Sequence, residues 1–209
     1  MTLETLGRKF ARLTTNAVVR RPALWRVFRG LMRRQFDAIA PRWETMRMPD
    51  SLAPFEAGLA AVEPAPQRAL DLGTGTGAGA CAIAARFPGV EVVGADLSGR
   101  MLDEARRTLP PEVADRVRFE VADASRLPYE SAAFDLVTLA NMIPFFDELS
   151  RVLAPGGHAL FAFSGGAGTP IYVPPERLRS ELDRRGFAEF AEFDTGRGTA
   201  LLARKAERG

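Results

Sequence analysis

The stretch "RALDLGTGTGAGA", residues 68–80, sets a short apolar run, an aspartate and alternating glycines side by side. Ala69–Leu72 reads as a buried strand and Gly77–Arg86 as a helix of small residues, so the glycines form the junction between them. Glycines there let the chain turn sharply and let a ligand approach the main chain closely. The helix that follows presents unpaired N–H groups that favour a carboxylate or phosphate. Gly73, Thr74, Gly75 and Gly77 are therefore read as a ligand-cradling loop.

Downstream, strands and helices alternate. Val90–Ala95 reads as a strand, and Ser98 caps a helix running to about Thr108. Val117–Ala122 and Phe134–Ala140 are the third and fourth strands, and Phe145–Leu153 is a short helix. After a Pro155-Gly156-Gly157 turn, His158–Ser164 is the fifth strand. A helix over Pro175–Arg185 stops at Gly186, and strands near Glu189–Phe193 and Thr199–Arg204 flank "DTGRG" as a closing hairpin. Repeated strand–helix units predict an α/β fold with a parallel sheet covered on both faces. In such sheets ligands bind beyond the carboxyl ends of the strands, where the strand order reverses.

Three carboxylates fall at predicted strand ends. Asp96 lies nineteen residues past Gly77, the separation at which an acidic residue accepts hydrogen bonds from ribose hydroxyls. The loop and Asp96 alone leave the nucleotide type open, and a nicotinamide-dependent oxidoreductase fits them too. Asp71 tips the balance, because a carboxylate beside the loop repels a pyrophosphate but welcomes an ammonium. Asp123, after the third strand, suits the exocyclic amine of an adenine. An amino acid, a ribose and a base are the three parts of S-adenosylmethionine.

The segments "LDLGTGTG", "VVGADLSGRML", "FEVADASRLPYESAAFDLV" and "RVLAPGGHALFAFS" resemble, in order and spacing, the class I S-adenosylmethionine-dependent methyltransferases. The resemblance implies a Rossmann-like seven-stranded sheet, mostly parallel, whose last strand is antiparallel. It assigns Asp71, Gly73 and Gly75 to the methionine end of the cofactor and Asp96 to the ribose. Leu97 and Ala124 become adenine walls, Asp123 holds the adenine amine, and Asn141 borders the sulfonium and the substrate. "FDAIAPRWE", residues 36–44, resembles the segment before this core in small-molecule methyltransferases, where aromatic residues cover the cofactor. Phe36 and Trp43 are the expected lid residues.

A methyl transfer needs a general base only if the acceptor must lose a proton. Asn141, Tyr129 and Tyr172 are the substrate-side candidates. The single histidine, His158, is expected at the start of the fifth strand, at the end of the sheet opposite the cofactor, in a structural role. The single cysteine, Cys81, is expected to be packed in its helix, and no metal site is expected. Phe145 and Phe146 line an apolar pocket or pack in the core. "SGGAGTP", residues 164–170, is either an active-site loop or a plain connection. Signatures of amino-methylating DNA enzymes and of cysteine-dependent cytosine or RNA enzymes are missing, which favours a small, perhaps apolar, acceptor over nucleic acid. A cofactor-binding regulatory protein without transfer activity is the competing reading.

The chain of 209 residues has a net charge of +2. Residues 1–47 carry 11 Arg/Lys against 3 Asp/Glu, a balance of +8, so the remainder carries −6. Residues 3–19 read as a helix, Arg21-Pro22 breaks it, and Leu24, Val27, Phe28, Leu31, Met32, Phe36 and Ile39 form an apolar stripe on the next. Arg26, Arg29 and Arg33 fall opposite. Such a helix is expected to lie as a cap on the sheet domain, or else to make peripheral contact with a membrane. Another short helix is expected near 55–62. The division expected is a helical cap over 1–64 and a cofactor-binding domain over 65–209. With no secretory pattern and no spanning stretch, the expected compartment is the cytoplasm.

Overall fold

The computed structural model describes residues 3–48 and 50–207. Four helices come first: α1 (Leu3–Arg20), α2 (Trp25–Ile39), α3 (Trp43–Met46) and α4 (Ala53–Ala60). A single 3-10 turn at Pro22–Leu24 joins α1 to α2, as expected where proline removes an N–H from the ladder. Then β1 (Arg68–Leu72), α5 (Ala78–Arg86), β2 (Glu91–Asp96), α6 (Gly99–Thr108), β3 (Val117–Val121) and β4 (Phe134–Ala140) alternate. The chain closes with α7 (Phe146–Val152), β5 (Leu153–Phe163), α8 (Pro175–Asp183), β6 (Phe187–Asp194) and β7 (Thr199–Lys205).

The seven strands form one sheet in the order β3-β2-β1-β4-β5-β7-β6. β1 to β5 run parallel, and β7 lies antiparallel between β5 and β6. Alternate residues of the central strands serve two cores, as the period of two demands. Leu70, Val93, Val137 and Phe161 face one side, with Leu149 of α7, Leu178 of α8 and Val18, Trp25 and Met32 of the first two helices. Ala69, Val92, Leu136 and Leu160 face the other, with Phe55 and Leu59 of α4, Ile83 of α5 and Leu102 of α6. The strand order reverses at β1, between β2 and β4, which fixes the crevice at the carboxyl ends of β1 and β4.

Two local expectations shift. β5 begins at Leu153 rather than His158, because Leu153 already pairs with Phe134 across a register shift. His158 is consequently mid-strand, opposite Leu136 and Arg204, yet still level with Ala69 at the amino end of the sheet, away from the crevice. On α2, Trp25 and Met32 are buried and Phe28 and Phe36 partly so, whereas Leu24, Val27 and Leu31 are exposed. Both sets have helical spacing; the aromatic one wins because its large side chains fill the space beside Phe145 and Asp123.

Candidate active site

The loop after β1 is pinned to β2: the N–H groups of Gly73 and Thr74 both donate to the Ala95 carbonyl, at 2.8 and 3.1 Å. Gly73, Gly75 and Gly77 have φ of +67°, +55° and +88°, a region that side-chain-bearing residues rarely enter. A Cβ on Gly73 would stand 2.9 Å from Met142 Cγ, and one on Gly77 2.8 Å from Phe119 Cζ. The loop is thus pressed between the exit of β4 and β3. At Gly75 there is room for a Cβ, which would stand in ordinary contact with Trp43 Nε1 at 3.8 Å.

Asp71 is buried, and both its oxygens are occupied. Thr138 Oγ1 donates to Oδ1 and Thr74 Oγ1 to Oδ2, each at 2.7 Å. Burial pushes its carboxyl up to about 6, against the lowering pull of the two hydroxyls. Asp71 therefore ties the glycine loop to β4 and does not present a free carboxylate to the crevice in this conformation. Asp96 ends β2, and its Oδ2 accepts the Gly75 N–H at 2.9 Å while Oδ1 accepts the Ser98 N–H at 2.8 Å. Burial raises its pKa, the backbone donors lower it, and Asp37 nearby raises it further. Each oxygen keeps a second lone pair. Leu97, partly buried, and Ala124, buried, follow Asp96 and Asp123 on adjacent strand exits.

Asp123 Oδ1 accepts hydrogen bonds from the Ser125 amide (2.9 Å), the Ser125 hydroxyl (2.7 Å) and the Trp25 indole N–H (2.8 Å). Arg29 reaches Oδ2 at 3.4 Å. Burial would raise this pKa, but the Ser125, Trp25 and Arg29 donors outweigh it and hold the carboxyl below its usual range. Three further contacts tie the N-terminal segment to the crevice. Ser98 Oγ donates to Asp37 at 2.6 Å, Thr76 Oγ1 donates to Glu44, and Trp43 lies over Gly75 with its ring edge-on to Phe36 at 6.0 Å. Phe36 and Trp43 are therefore brought together beside the glycine loop. Trp25, Asp37 and Glu44 were missed in the sequence reading. A signal for Trp25 existed, since Trp25, Phe28, Met32 and Phe36 also keep i, i+3 and i+4 spacing.

Asn141 follows β4 with φ of +51°, a left-handed conformation that asparagine tolerates better than most residues. Its side chain is tied to Ser164 at the exit of β5, accepting from the Ser164 N–H at 3.0 Å and donating to Oγ at 3.1 Å. Both lie at the crevice. Tyr172 packs edge-on to Phe163 at the end of β5, with ring centroids 5.1 Å apart. Tyr129 is elsewhere: its ring packs on Phe134 at the start of β4, its hydroxyl donates to Glu120 at 3.0 Å, and its carbonyl accepts from Arg151. The ring thus stands at the amino end of β4, while the hydroxyl reaches Glu120, level with Ala95 one residue before Asp96.

His158 is buried, and burial lowers its pKa, followed by the charge of Arg204. Cys81 is half-buried on α5, its thiol pushed up by burial and then by Asp71. Phe145 and Phe146 are core residues, against Trp25 and Phe161 respectively. The 164–170 loop is held by α1: Arg12 donates to the Ala167 and Thr169 carbonyls at 2.7 and 2.8 Å, and Arg8 to Gly168 at 3.1 Å. Among the described residues, no group of three or more His, Cys, Asp or Glu is placed to hold a metal ion. Among the same residues, no helix is long and apolar enough to cross a membrane.

The sheet order, the glycine loop at its reversal point and the carboxylates on successive strand exits define a nucleotide-cofactor-binding α/β fold. A family model described as a methyltransferase domain matches residues 69–157. A demethylmenaquinone methyltransferase of Deinococcus radiodurans is 38% identical over 200 aligned residues, covering 73% of this chain and 83% of that protein. One of Thermus thermophilus is 44% identical over 137 residues, covering 58% of this chain and 60% of that protein. A phosphoethanolamine N-methyltransferase of Haemonchus contortus, solved in complex with S-adenosyl-L-methionine, superposes with a TM-score of 0.61. It is 20% identical, over 76% of this chain and 52% of that one, a likeness of fold. The chain belongs to the class I S-adenosylmethionine-dependent methyltransferases.

Proposed function

We propose that this chain transfers a methyl group from S-adenosylmethionine to a ring carbon of a reduced, isoprenoid-bearing quinone, working from the cytoplasm. The likeness to two demethylmenaquinone methyltransferases at 38% and 44% identity carries the choice of acceptor. Two features support the donor: Gly75 faces a side chain, Trp43, and not the main chain of another strand, and Asp96 keeps a free lone pair on each oxygen for ribose hydroxyls. Asp123 offers its Oδ2, touched only by Arg29 at 3.4 Å, to an adenine amine between Leu97 and Ala124. Gly73, Thr74 and Gly77 shape the cradle, and Asp71 keeps it in place through Thr74 and Thr138.

When bound, the cofactor supplies an electrophilic methyl group on a sulfonium. Transfer to the acceptor's ring carbon would leave S-adenosylhomocysteine and pass the displaced ring proton to water, so no side-chain base would be required. The protein's part is alignment and exclusion of water. Asn141, clamped to Ser164, and Tyr172 border the acceptor's place. Phe36 and Trp43 cover the donor. In this reading residues 1–64 act as a helical cap on the cofactor-binding domain, 65–209, although α4 packs on the sheet itself through Phe55 and Leu59.

Incubation with S-adenosylmethionine and a short-chain demethylated naphthoquinol tests the proposal. Mass spectrometry is expected to find one methyl group added to the ring. Cofactor binding without any ring methylation would refute the acceptor and leave the family assignment intact.

A further inference from the structure

The outer face of α2 is unusual for a helix that meets only water. Val27 is 74% exposed and Leu31 54%, and Leu24 just before the helix is also exposed. At 100° per residue the three fall within an arc of about 60°. A Cβ built on Gly30, farther round the same face, meets nothing within 4 Å. α1 lies alongside, with Phe10 edge-on to Phe28 at 6.1 Å, and Leu13, one turn beyond Phe10, is 69% exposed. No residue of the described chain covers this apolar crest.

Its surroundings are basic. Arg34 borders the crest on α2, about 20° round the helix from Val27, and Arg20 and Arg21 stand at the connection, all of them exposed. The one acidic residue of α2, Asp37, is turned inward to the Ser98 hydroxyl. A second copy of this chain would bring the same cations against themselves. A nucleic acid would leave the aliphatic crest in water. Hydrocarbon rimmed by cations matches the boundary between acyl chains and anionic head groups.

We propose that the outer face of the α1–α2 hairpin docks on an anionic lipid bilayer. The purpose rests on the quinone reading: the docked helix is the one whose inner face places Trp25 on Asp123, so docking sets the covered crevice beside the lipid phase where an isoprenoid acceptor resides.

Flotation of the full chain with lipid vesicles tests this. The protein is expected to float with phosphatidylcholine vesicles containing phosphatidylglycerol, and roughly tenfold less with phosphatidylcholine alone, because both apolar insertion and anionic attraction contribute. Val27→Glu with Leu31→Glu, and separately Arg21→Glu with Arg34→Glu, are expected to cut flotation at least about tenfold. Both variants should retain calorimetric binding of S-adenosylhomocysteine, since none of the four residues touches the crevice. Three results would each overturn the proposal: no flotation of the wild type with anionic vesicles, flotation indifferent to Val27→Glu with Leu31→Glu, or a wild-type dimer in sedimentation that this variant dissolves. Methylation of the short-chain acceptor needs no bilayer, so failure of docking and failure of the quinone reading are told apart.

Discussion

Trp25→Phe keeps an aromatic ring against Phe145, 5.4 Å away between centroids, and removes a single donor, the indole N–H that lies 2.8 Å from Asp123 Oδ1. Trp25 is 8% exposed, so water does not readily replace the lost partner. A hydrogen bond to a charged group under those conditions contributes about 1.5–3 kcal/mol. Arg29 is a different case. Its contact is 3.4 Å with a side chain 56% exposed, and exposed ion pairs contribute about 0–1 kcal/mol. Part of the Trp25 term returns because Ser125 still donates twice to the same oxygen. The expected loss for Trp25→Phe is therefore about 1.5–2 kcal/mol, a fall of roughly 3–8 °C in Tm for a chain of this size, whereas Arg29→Ala is expected to cost less than about 0.5 kcal/mol. A double-mutant cycle pairing Trp25→Phe with Asp123→Asn, read by urea unfolding, isolates the contact. Coupling above about 1 kcal/mol is expected. Coupling below about 0.3 kcal/mol, or an Arg29→Ala effect larger than that of Trp25→Phe, would refute the claim that the indole latches α2 to the site.

Two further outcomes follow from the buried parts of the loop. Asp71 has a carboxyl raised to about 6 by burial, so the folded state holds its proton to higher pH than the unfolded chain, and this group's contribution to stability falls as pH rises from about 4 to about 6. Asp71→Asn is expected to abolish that fall, so that its stability relative to wild type, measured by urea unfolding, rises by up to about 3 kcal/mol between pH 4 and pH 7; a constant difference would show that Asp71 does not titrate there. A Cβ at position 79 would stand 2.6 Å from Asp71 Oδ2, so Gly79→Ala is expected to destabilise by about 1–3 kcal/mol through overpacking and to weaken cofactor binding, whereas an unchanged Tm would mean the loop has room that the geometry denies.

The sheet was legible because its strands are short apolar runs ended by aspartates and glycines, and that punctuation survives without tertiary information. Asp96 and Asp123 were readable for the same reason: one ends β2 and the other follows β3, so topology alone brings them to one edge. Asp71 stands one residue before the end of β1, but its neighbours Thr74 and Thr138 were invisible as partners until the loop and β4 were in register. The cap was less legible. Apolar residues on α2 satisfy two overlapping stripes, and spacing does not say which one the sheet domain accepts; the aromatic set won, leaving Leu24, Val27 and Leu31 outside. Asp37 and Glu44 look like ordinary surface acids because their partners, Ser98 and Thr76, are 61 and 32 residues away.

The central claim is that the crevice at the ends of β1, β2 and β3 binds S-adenosylmethionine through Asp96. Isothermal titration of S-adenosylhomocysteine into the wild-type chain and into Asp96→Ala addresses it with a single ligand. One site per chain is expected, weakened about tenfold or more in the variant, since a charged acceptor of ribose hydroxyls contributes about 1.5–3 kcal/mol per hydrogen bond. No binding to the wild type, or equal affinity in an Asp96→Ala protein that melts normally, would contradict the account.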